Sequence, residues 1–257
     1  MTKNGRPVVQ SIATATSVVE LLARESSIGL SSAARSLGIS KATLLRTLET
    51  LKSAGWVEQD PPPSWHWRLS EQFLKLGQSA TSDQRLRQVS IDAMHLLNQE
   101  TRETVHLAAA QVDHLVLIER LDSSFALRAY IPLGSKLPFH ASATGLAYLS
   151  ALTNSEIRQV LVASRPLATK YTLRTDEEIL HEVYESRERG FSLNNQGLSV
   201  GISSVGAPIL DYHSKPIGAI SISGPTSRMT LDRQLEVGPL VSQSARQITQ
   251  SIRLQSK

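Results

Sequence analysis

The sequence predicts an α+β protein with two parts: an N-terminal winged helix-turn-helix domain, and a C-terminal α+β domain with a mainly antiparallel sheet. A helix, turn, helix and hairpin pattern runs from Leu30 to Leu69. After Thr101, strand and helix patterns mix without regular β-α-β alternation. The length of 257 residues and the hydrophobic content of 40% are sufficient for two cores.

We place the first domain at residues 1–80 and the second at residues 81–257. Helices predicted over Glu71–Ser79 and Gln84–Gln99 connect them, so that the linker helix continues to residue 99. Helical linkers transmit orientation better than flexible ones.

The N-terminal domain begins with an amphipathic helix predicted over residues 9–23. Its expected core residues include Ile12, Val19 and Leu22. A second helix is predicted over residues 31–37, where Gly38 ends it, and Ser40 is positioned to cap a third helix over residues 41–52. In the third helix the residues expected to be buried at helical spacing are Leu44, Leu48 and Leu51.

A two-stranded wing is predicted after the third helix. Residues 56–60 and 65–69 are strand-like, and Pro61, Pro62 and Pro63 turn the chain between them. A winged helix-turn-helix places its second helix in the major groove of DNA. The predicted DNA contacts are Ser40, Lys41, Thr43, Arg46 and Thr47 on the helix, and His66 and Arg68 on the wing.

Charge and composition agree with a nucleic-acid partner. Residues 1–80 hold nine Lys and Arg against six Asp and Glu, whereas the remaining residues hold 18 against 17. The chain has no cysteine, which excludes disulfides and thiolate metal sites. Neither a signal peptide nor a long apolar run is visible, so we expect a cytoplasmic protein with no membrane partner, no metal and no cofactor.

The second domain is predicted to hold strands at residues 104–110, 114–120, 126–130, 202–210 and 216–223. Helices are predicted at residues 142–152, 155–163, 176–189 and 231–254.

The last strand places Ser221 and Ser223 on one face. These hydroxyls either bind a small polar ligand or are hydrated at a sheet surface, and spacing alone leaves both readings open. A small-residue helix start at His140–Gly145 favours a ligand, because the free N–H groups of a helix N-terminus attract carboxylates.

One segment of the sequence matches the residue pattern of a catalytic motif. Gly197, Ser199 and Gly201 match the Gly-x-Ser-x-Gly pattern of a hydrolase nucleophile. That motif needs a strand before it and a helix after it, whereas a β-branched run follows here. We therefore expect no enzymatic activity, and a serine hydrolase using Ser199 is the weaker alternative.

The chain resembles the IclR family of bacterial transcriptional regulators over residues 8–254. The motifs that carry the resemblance are Val9–Ser11, Ile39–Thr43 with Arg46, Thr101–Leu107, Leu137–Ser142 with Gly145, Arg189–Phe191, and Ile220–Pro225 with Ser227 and Arg228. The resemblance implies a winged helix-turn-helix joined to a GAF-like effector-binding and oligomerisation domain. It also implies a homodimer or tetramer, a pseudo-palindromic operator on double-stranded DNA, and a small organic acid as effector.

Family pocket positions map onto nine residues of this chain. They are Ala143, Thr144, Asn194, Ser204, Ser221 and Ser223, with Ala126, Ala129 and Leu137 as the apolar wall. The chain departs from the family pattern at Ser203-Ser204, where many relatives have Arg-Cys, and at Asn194-Asn195, where many have an acidic residue.

Two further points stay open at this stage. A six-residue hairpin loop would pair Ser204 with Ser223, whereas a five-residue loop would place Ser203 there. The expected function is a DNA-binding regulator controlled by an aliphatic or aromatic carboxylate. A C-terminal domain that only oligomerises is the alternative within the same class.

Overall fold

The computed structural model describes residues 9–73, 83–161 and 165–254. It divides the chain into two compact units, residues 1–81 and residues 82–257. The predicted helix over 71–79 lies largely outside the described residues.

Residues 9–70 of the first unit form three helices and a two-stranded ribbon. The elements are α1 (Gln10–Glu25), α2 (Leu30–Leu37), α3 (Lys41–Ser53), β1 (Val57–Gln59) and β2 (Trp67–Leu69). The two strands pair antiparallel, as predicted for a wing. Both are shorter than expected, since Trp65 takes a positive φ of 51° and leaves the ladder.

The core of the first unit is apolar and draws on every element. Leu44, Leu48 and Leu51 of α3 are buried as predicted, together with Trp67 of β2. In α1 the buried residues are Val18, Leu21 and Leu22. The prediction for Ile12 was wrong: it is 61% exposed, because it lies on a face of α1 that is turned away from this core.

The second unit is built on one six-stranded sheet with helices on both faces. The strands are β3 (Thr104–Ala110), β4 (Leu115–Leu121), β5 (Lys136–Leu137), β6 (Ser192–Asn195), β7 (Ile202–Leu210) and β8 (Pro216–Pro225). Their order is β5-β4-β3-β8-β7-β6, and every neighbouring pair is antiparallel. This confirms the predicted α+β class.

The helices of the second unit are α4 (Asp83–Thr101), α5 (Ala143–Ser150), α6 (Asn154–Val160), α7 (Asp176–Arg189) and α8 (Leu231–Leu254). Helices α4 and α8 cover one face, where Leu107, Ile220 and Val241 share a core. Helices α5 to α7 cover the other face, where Leu149 and Ile179 pack. Alternate residues of β3 and β8 therefore point into two separate layers.

The predicted strand at 126–130 is absent, and this prediction was wrong. The edge of β4 pairs instead with the short β5. Side chains take the carbonyls of the 126–131 segment: Thr104 Oγ1 donates to Ala129 O at 3.0 Å, and Arg120 Nη1 to Ile131 O at 2.6 Å. Because these acceptors are satisfied by side chains, the segment needs no strand partner.

Strand β6 was not predicted. Its four residues, Ser192–Asn195, are mostly polar and show no apolar alternation. Pairing with β7 is what makes this segment a strand.

Candidate functional site

Helix α3, the recognition helix, presents its polar side chains on the face away from the core. Ser40 caps it, because its Oγ accepts a hydrogen bond from Thr43 N at 3.1 Å. Lys41 and Arg46 are exposed, and neither forms an ion pair or a side-chain hydrogen bond within the described chain. Both cations are therefore available to phosphates and base edges.

The threonines of the recognition helix are partly engaged. Thr43 Oγ1 lies 2.9 Å from Ser40 Oγ, and Thr47 Oγ1 donates to Thr43 O at 3.0 Å. The Thr47 hydroxyl hydrogen is thus used inside the helix, which leaves its methyl group and an oxygen lone pair for an external partner.

The two wing residues predicted to contact DNA are tied into the wing itself. Arg68 forms ion pairs with Glu58 at 3.0 Å and Asp60 at 3.3 Å. His66 Nδ1 lies 3.4 Å from Ser27 Oγ. Because two carboxylates flank Arg68, the wing offers a polyanion less positive charge than the sequence suggests.

In the second unit, residues from four strands and one helix surround a small buried cavity of about 20 Å³, which we call the serine cavity. Its lining consists of His106, Ile131, Leu137, Ser142, Ala143, Thr144, Leu198, Ser204, Ser221 and Ser223. An adjoining cavity of about 30 Å³ shares Ile131, Leu198, Ser204 and Ser223 with it. Each volume holds about one or two waters.

Strand register brings the three serines together. Ser204 of β7 pairs directly with Ser223 of β8, which is the register predicted for a six-residue loop. The loop itself has five residues, Asp211–Lys215, and a bulge beside Leu210 shifts the ladder by one residue. The bulge therefore decides which serine lines the cavity.

The N-terminus of α5 lies against the same cavity. Ser142 caps the helix by accepting from Gly145 N at 3.0 Å, and its hydroxyl donates to Pro138 O at 2.9 Å. Gly206 of β7 permits the close approach, because a Cβ there would lie 2.6 Å from Ala143 O. The N-terminus of α5 and the serine hydroxyls therefore face one another, which the spacing of these residues in the sequence could not establish.

The remaining predicted effector residues differ in position. Ala129 is buried and lines the adjoining cavity, whereas Ala126 is exposed and lines neither. Asn194 also lines the adjoining cavity, but its side chain is fully engaged. Its Nδ2 donates to Ala141 O at 3.1 Å, and its Oδ1 accepts from Gly197 N at 3.0 Å. Asn194 therefore holds the loop after β6 in place.

His106 lines the serine cavity and was not predicted as a site residue. It is 1% exposed, and its Nδ1 lies 3.2 Å from Ser223 Oγ. Burial, together with the nearby Arg120 guanidinium, lowers the pKa of His106 to about 4, so the imidazole is neutral at pH 7. The pattern of β3 places His106 on one face, but it does not show that β8 runs beside it.

Ser199 does not lie in a hydrolase elbow. It is exposed in the loop that joins β6 to β7, so a strand rather than a helix follows it.

In the described part of the chain, no group of three or more His, Asp or Glu side chains could hold a metal ion. No described helix is both long and apolar enough to cross a bilayer.

A winged helix-turn-helix with free cations on its second helix defines a DNA-binding protein of the transcription-regulator class. Sequence comparison assigns the particular family. The model of the "Bacterial transcriptional regulator IclR C-terminal" family matches residues 78–250, and that of the "IclR helix-turn-helix domain" matches residues 11–61. The chain belongs to the IclR family of transcriptional regulators.

One relative agrees with this assignment, and two solved structures share the fold. The chain is 31% identical over 245 residues to the transcriptional repressor IclR of Escherichia coli K12, covering 94% of this chain and 89% of that protein. The Thermotoga maritima IclR structure superposes with a TM-score of 0.82 at 20% identity, covering 95% of this chain and 98% of that one. An IclR homologue from Microbacterium hydrocarbonoxydans, solved with 4-hydroxybenzoate, gives a TM-score of 0.76 at 22% identity, covering 95% and 99%.

Proposed function

We propose that the protein binds a pseudo-palindromic operator through α3, and that a small organic acid in the serine cavity controls this binding. The convergence of Ser204, Ser221 and Ser223 on the N-terminus of α5 carries the effector part of the proposal. Hydroxyl donors and helix N–H groups together favour a carboxylate.

An acid larger than water requires the cavity to open. Ile131 and Leu198 line both small cavities, so movement of these two half-buried side chains would merge them. Control of DNA binding further requires that the acid bind one arrangement of the paired DNA-binding units more tightly than another.

The DNA contact is tested with Arg46→Ala on an operator selected from a random-sequence duplex library. We expect a loss of about 1–3 kcal/mol in binding free energy if Arg46 reads a base. Arg68→Ala is the matched control and should cost less, because Glu58 and Asp60 already neutralise Arg68. Unchanged affinity in Arg46→Ala would remove Arg46 from the interface.

The effector site is tested by calorimetry with acetate, pyruvate and 4-hydroxybenzoate. The last is included because a protein of the same fold holds it. We expect the Ser221→Ala, Ser223→Ala double variant to lose binding. Ser203→Ala is the control, because Ser203 lies next to Ser204 but donates to Asn195 Oδ1 at 2.8 Å. Equal binding by wild type and double variant would place the ligand elsewhere.

We also propose that two copies associate through the first unit, as a dimer or within a tetramer. An apolar groove of about 550 Å³ runs beside α1, with Ile12, Val19, Leu51 and Trp56 among its lining residues. We assign this groove to a second copy, because reading a two-fold operator requires two recognition helices about 34–36 Å apart and therefore two associated first units.

Ile12→Arg tests this association. The change should shift sedimentation toward the monomer, because it places a charge in the apolar groove. Val112→Arg, at a 91% exposed position of the second unit, should leave the oligomer unchanged. A wild-type monomer at every concentration would contradict the proposal.

A further inference from the structure

The imidazole of His106 has one ring nitrogen with no protein partner. Its Nδ1 is held by Ser223 Oγ, but Nε2 is buried and has no hydrogen-bond partner within the described parts of the chain. Buried polar atoms are usually paired, and leaving one unpaired costs free energy. A group from outside the protein is therefore expected at Nε2, in the serine cavity that His106 lines.

Among the residues that the structure describes, none with a permanent positive charge lines the serine cavity. The described lining consists of serine and threonine hydroxyls, apolar side chains, the start of α5 and His106. Hydroxyls and helix N–H groups supply only partial charges to a bound anion. A full counter-charge offsets more of the desolvation cost of a buried carboxylate than partial charges do, and among the described lining residues only His106 can provide it.

Without a bound acid, the surroundings of His106 keep its imidazole neutral. Burial is the largest influence and, together with the guanidinium of Arg120 in β4, it lowers the pKa of His106 to about 4, although Asp122 just after β4 acts in the opposite direction. From β7, β8 and α5 the cavity receives only uncharged residues, namely Ser204, Ser221, Ser223, Ala143 and Thr144.

We propose that a monocarboxylate binds in the serine cavity together with one proton, which His106 takes up at Nε2. The proton comes from solvent, and no covalent bond of the acid changes. In the bound state Nε2–H donates to a carboxylate oxygen, and Nδ1–H donates to Ser223 Oγ. The acid is thereby buried as a neutral imidazolium–carboxylate pair. The inference rests on the proposed function and adds a ligand-binding residue, a ligand charge and a proton stoichiometry to it.

The proton makes binding depend on pH in a defined direction. A carboxylate beside Nε2 raises the pKa of His106 above its value of about 4 in the empty site. Between the empty-site and bound-state pKa values, each acid takes up one proton, so affinity falls about tenfold for each unit of pH increase. Above the bound-state pKa the affinity becomes constant. A dicarboxylate should bind poorly, because its second charge has no partner in the cavity.

The test is calorimetry of the full-length protein at pH 6 with acetate, pyruvate and 4-hydroxybenzoate, repeated in buffers of different ionisation enthalpy. For an acid that binds, the observed enthalpy should change with buffer enthalpy as expected for uptake of about one proton. The dissociation constant should rise about tenfold between pH 5.5 and 6.5. Succinate is the dicarboxylate control.

His106→Gln is the matched variant, because its amide can still donate a hydrogen bond but cannot take up a proton. It should bind more weakly, without proton uptake and with a flat pH profile. His95→Gln, at an exposed histidine of α4, should behave as wild type. If His106→Gln does not fold, nitrogen chemical shifts of labelled histidine in the wild type report protonation of His106 directly.

The outcomes separate this inference from the proposed function. Binding with no buffer dependence, or proton uptake that persists in His106→Gln, overturns the inference and leaves an acid-controlled regulator standing. If the wild type binds none of the three acids while still binding DNA, both the effector part of the proposed function and this inference fail.

Discussion

The recognition helix and the serine cavity both rely on polar side chains, but the helix exposes them to water and the cavity buries them. The helix displays Lys41, Thr43 and Arg46 at the surface of one continuous segment. The cavity collects hydroxyls and an imidazole from separate strands, and His106 and Ser223 lie 117 residues apart in the chain. Exposed charges can remain unpaired because water solvates them, whereas buried polar groups must find partners.

This difference explains which structural feature determines what each region can bind. On α3, the helical period alone decides which side chains face outward. In the serine cavity, Ser142 and Ser223 are already held by protein partners. Among the described residues that line this cavity, His106 differs because its buried Nε2 has no hydrogen-bond partner.

The largest expected effect concerns the two faces of the recognition helix. Leu44 is fully buried, while the next residue, Leu45, is 40% exposed. Leu44→Ala should lower the stability of the first unit by about 2–5 kcal/mol through lost burial and a cavity. Leu45→Ala should change it much less. Equal losses in denaturant unfolding would show that the outer face of α3 is covered in solution.

The next effect concerns an ion pair of the second unit in which one partner is buried. Arg228 bonds Glu103 through two contacts of 2.6 and 2.8 Å and also donates to Leu127 O at 3.0 Å. Glu103 is buried, whereas Arg228, which keeps its charge in the variant, is 28% exposed, so Glu103→Gln should cost about 2 kcal/mol in the unfolding of the second unit.

The matched change in the first unit is Glu58→Gln, which removes an exposed partner of Arg68. It should cost at most about 1 kcal/mol, because solvent screens exposed pairs. Equal losses of unfolding free energy in Glu103→Gln and Glu58→Gln would mean that burial does not determine how much these ion pairs stabilise the protein.

The smallest effect compares identical helix caps in the two regions. Ser40→Ala removes the cap of α3 at an exposed site, where water replaces the hydroxyl, and should cost about 1 kcal/mol or less. Ser142→Ala removes the cap of α5 and one of the two donors to Pro138 O at a buried site, where the Ala141 N–H at 3.3 Å remains, so about 1–2 kcal/mol is expected. Thermal unfolding of both variants measures the difference. A smaller loss for Ser142→Ala would show that water reaches the cavity.

Prediction succeeded where structure is local. The strand at Thr104–Ala110 and the helices at Asp176–Arg189 and Leu231–Leu254 have the predicted bounds. Each shows a clear period or a clear terminus, such as the capping box formed by Thr175 and Glu178 at the start of α7.

Prediction failed where distant partners decide the outcome. The segment at 126–130 alternates like a strand, but side-chain donors from Thr104 and Arg228 hold its carbonyls outside the sheet. Ile12 lies on an apolar stripe of α1, but its own side chain lines an open groove and does not join the core of its unit.

The amino-acid sequence by itself determined the winged helix-turn-helix, the outward face of α3 and the family to which the chain belongs. These depend on residues within a few turns of one another, or on motifs in a recognisable order. Only the tertiary structure decided that β8 lies between β3 and β7, that a bulge aligns Ser204 with Ser223, and that His106 shares their cavity. The physical reason is that strand pairing joins segments far apart in the chain, and a shift of one residue turns every side chain to the opposite face.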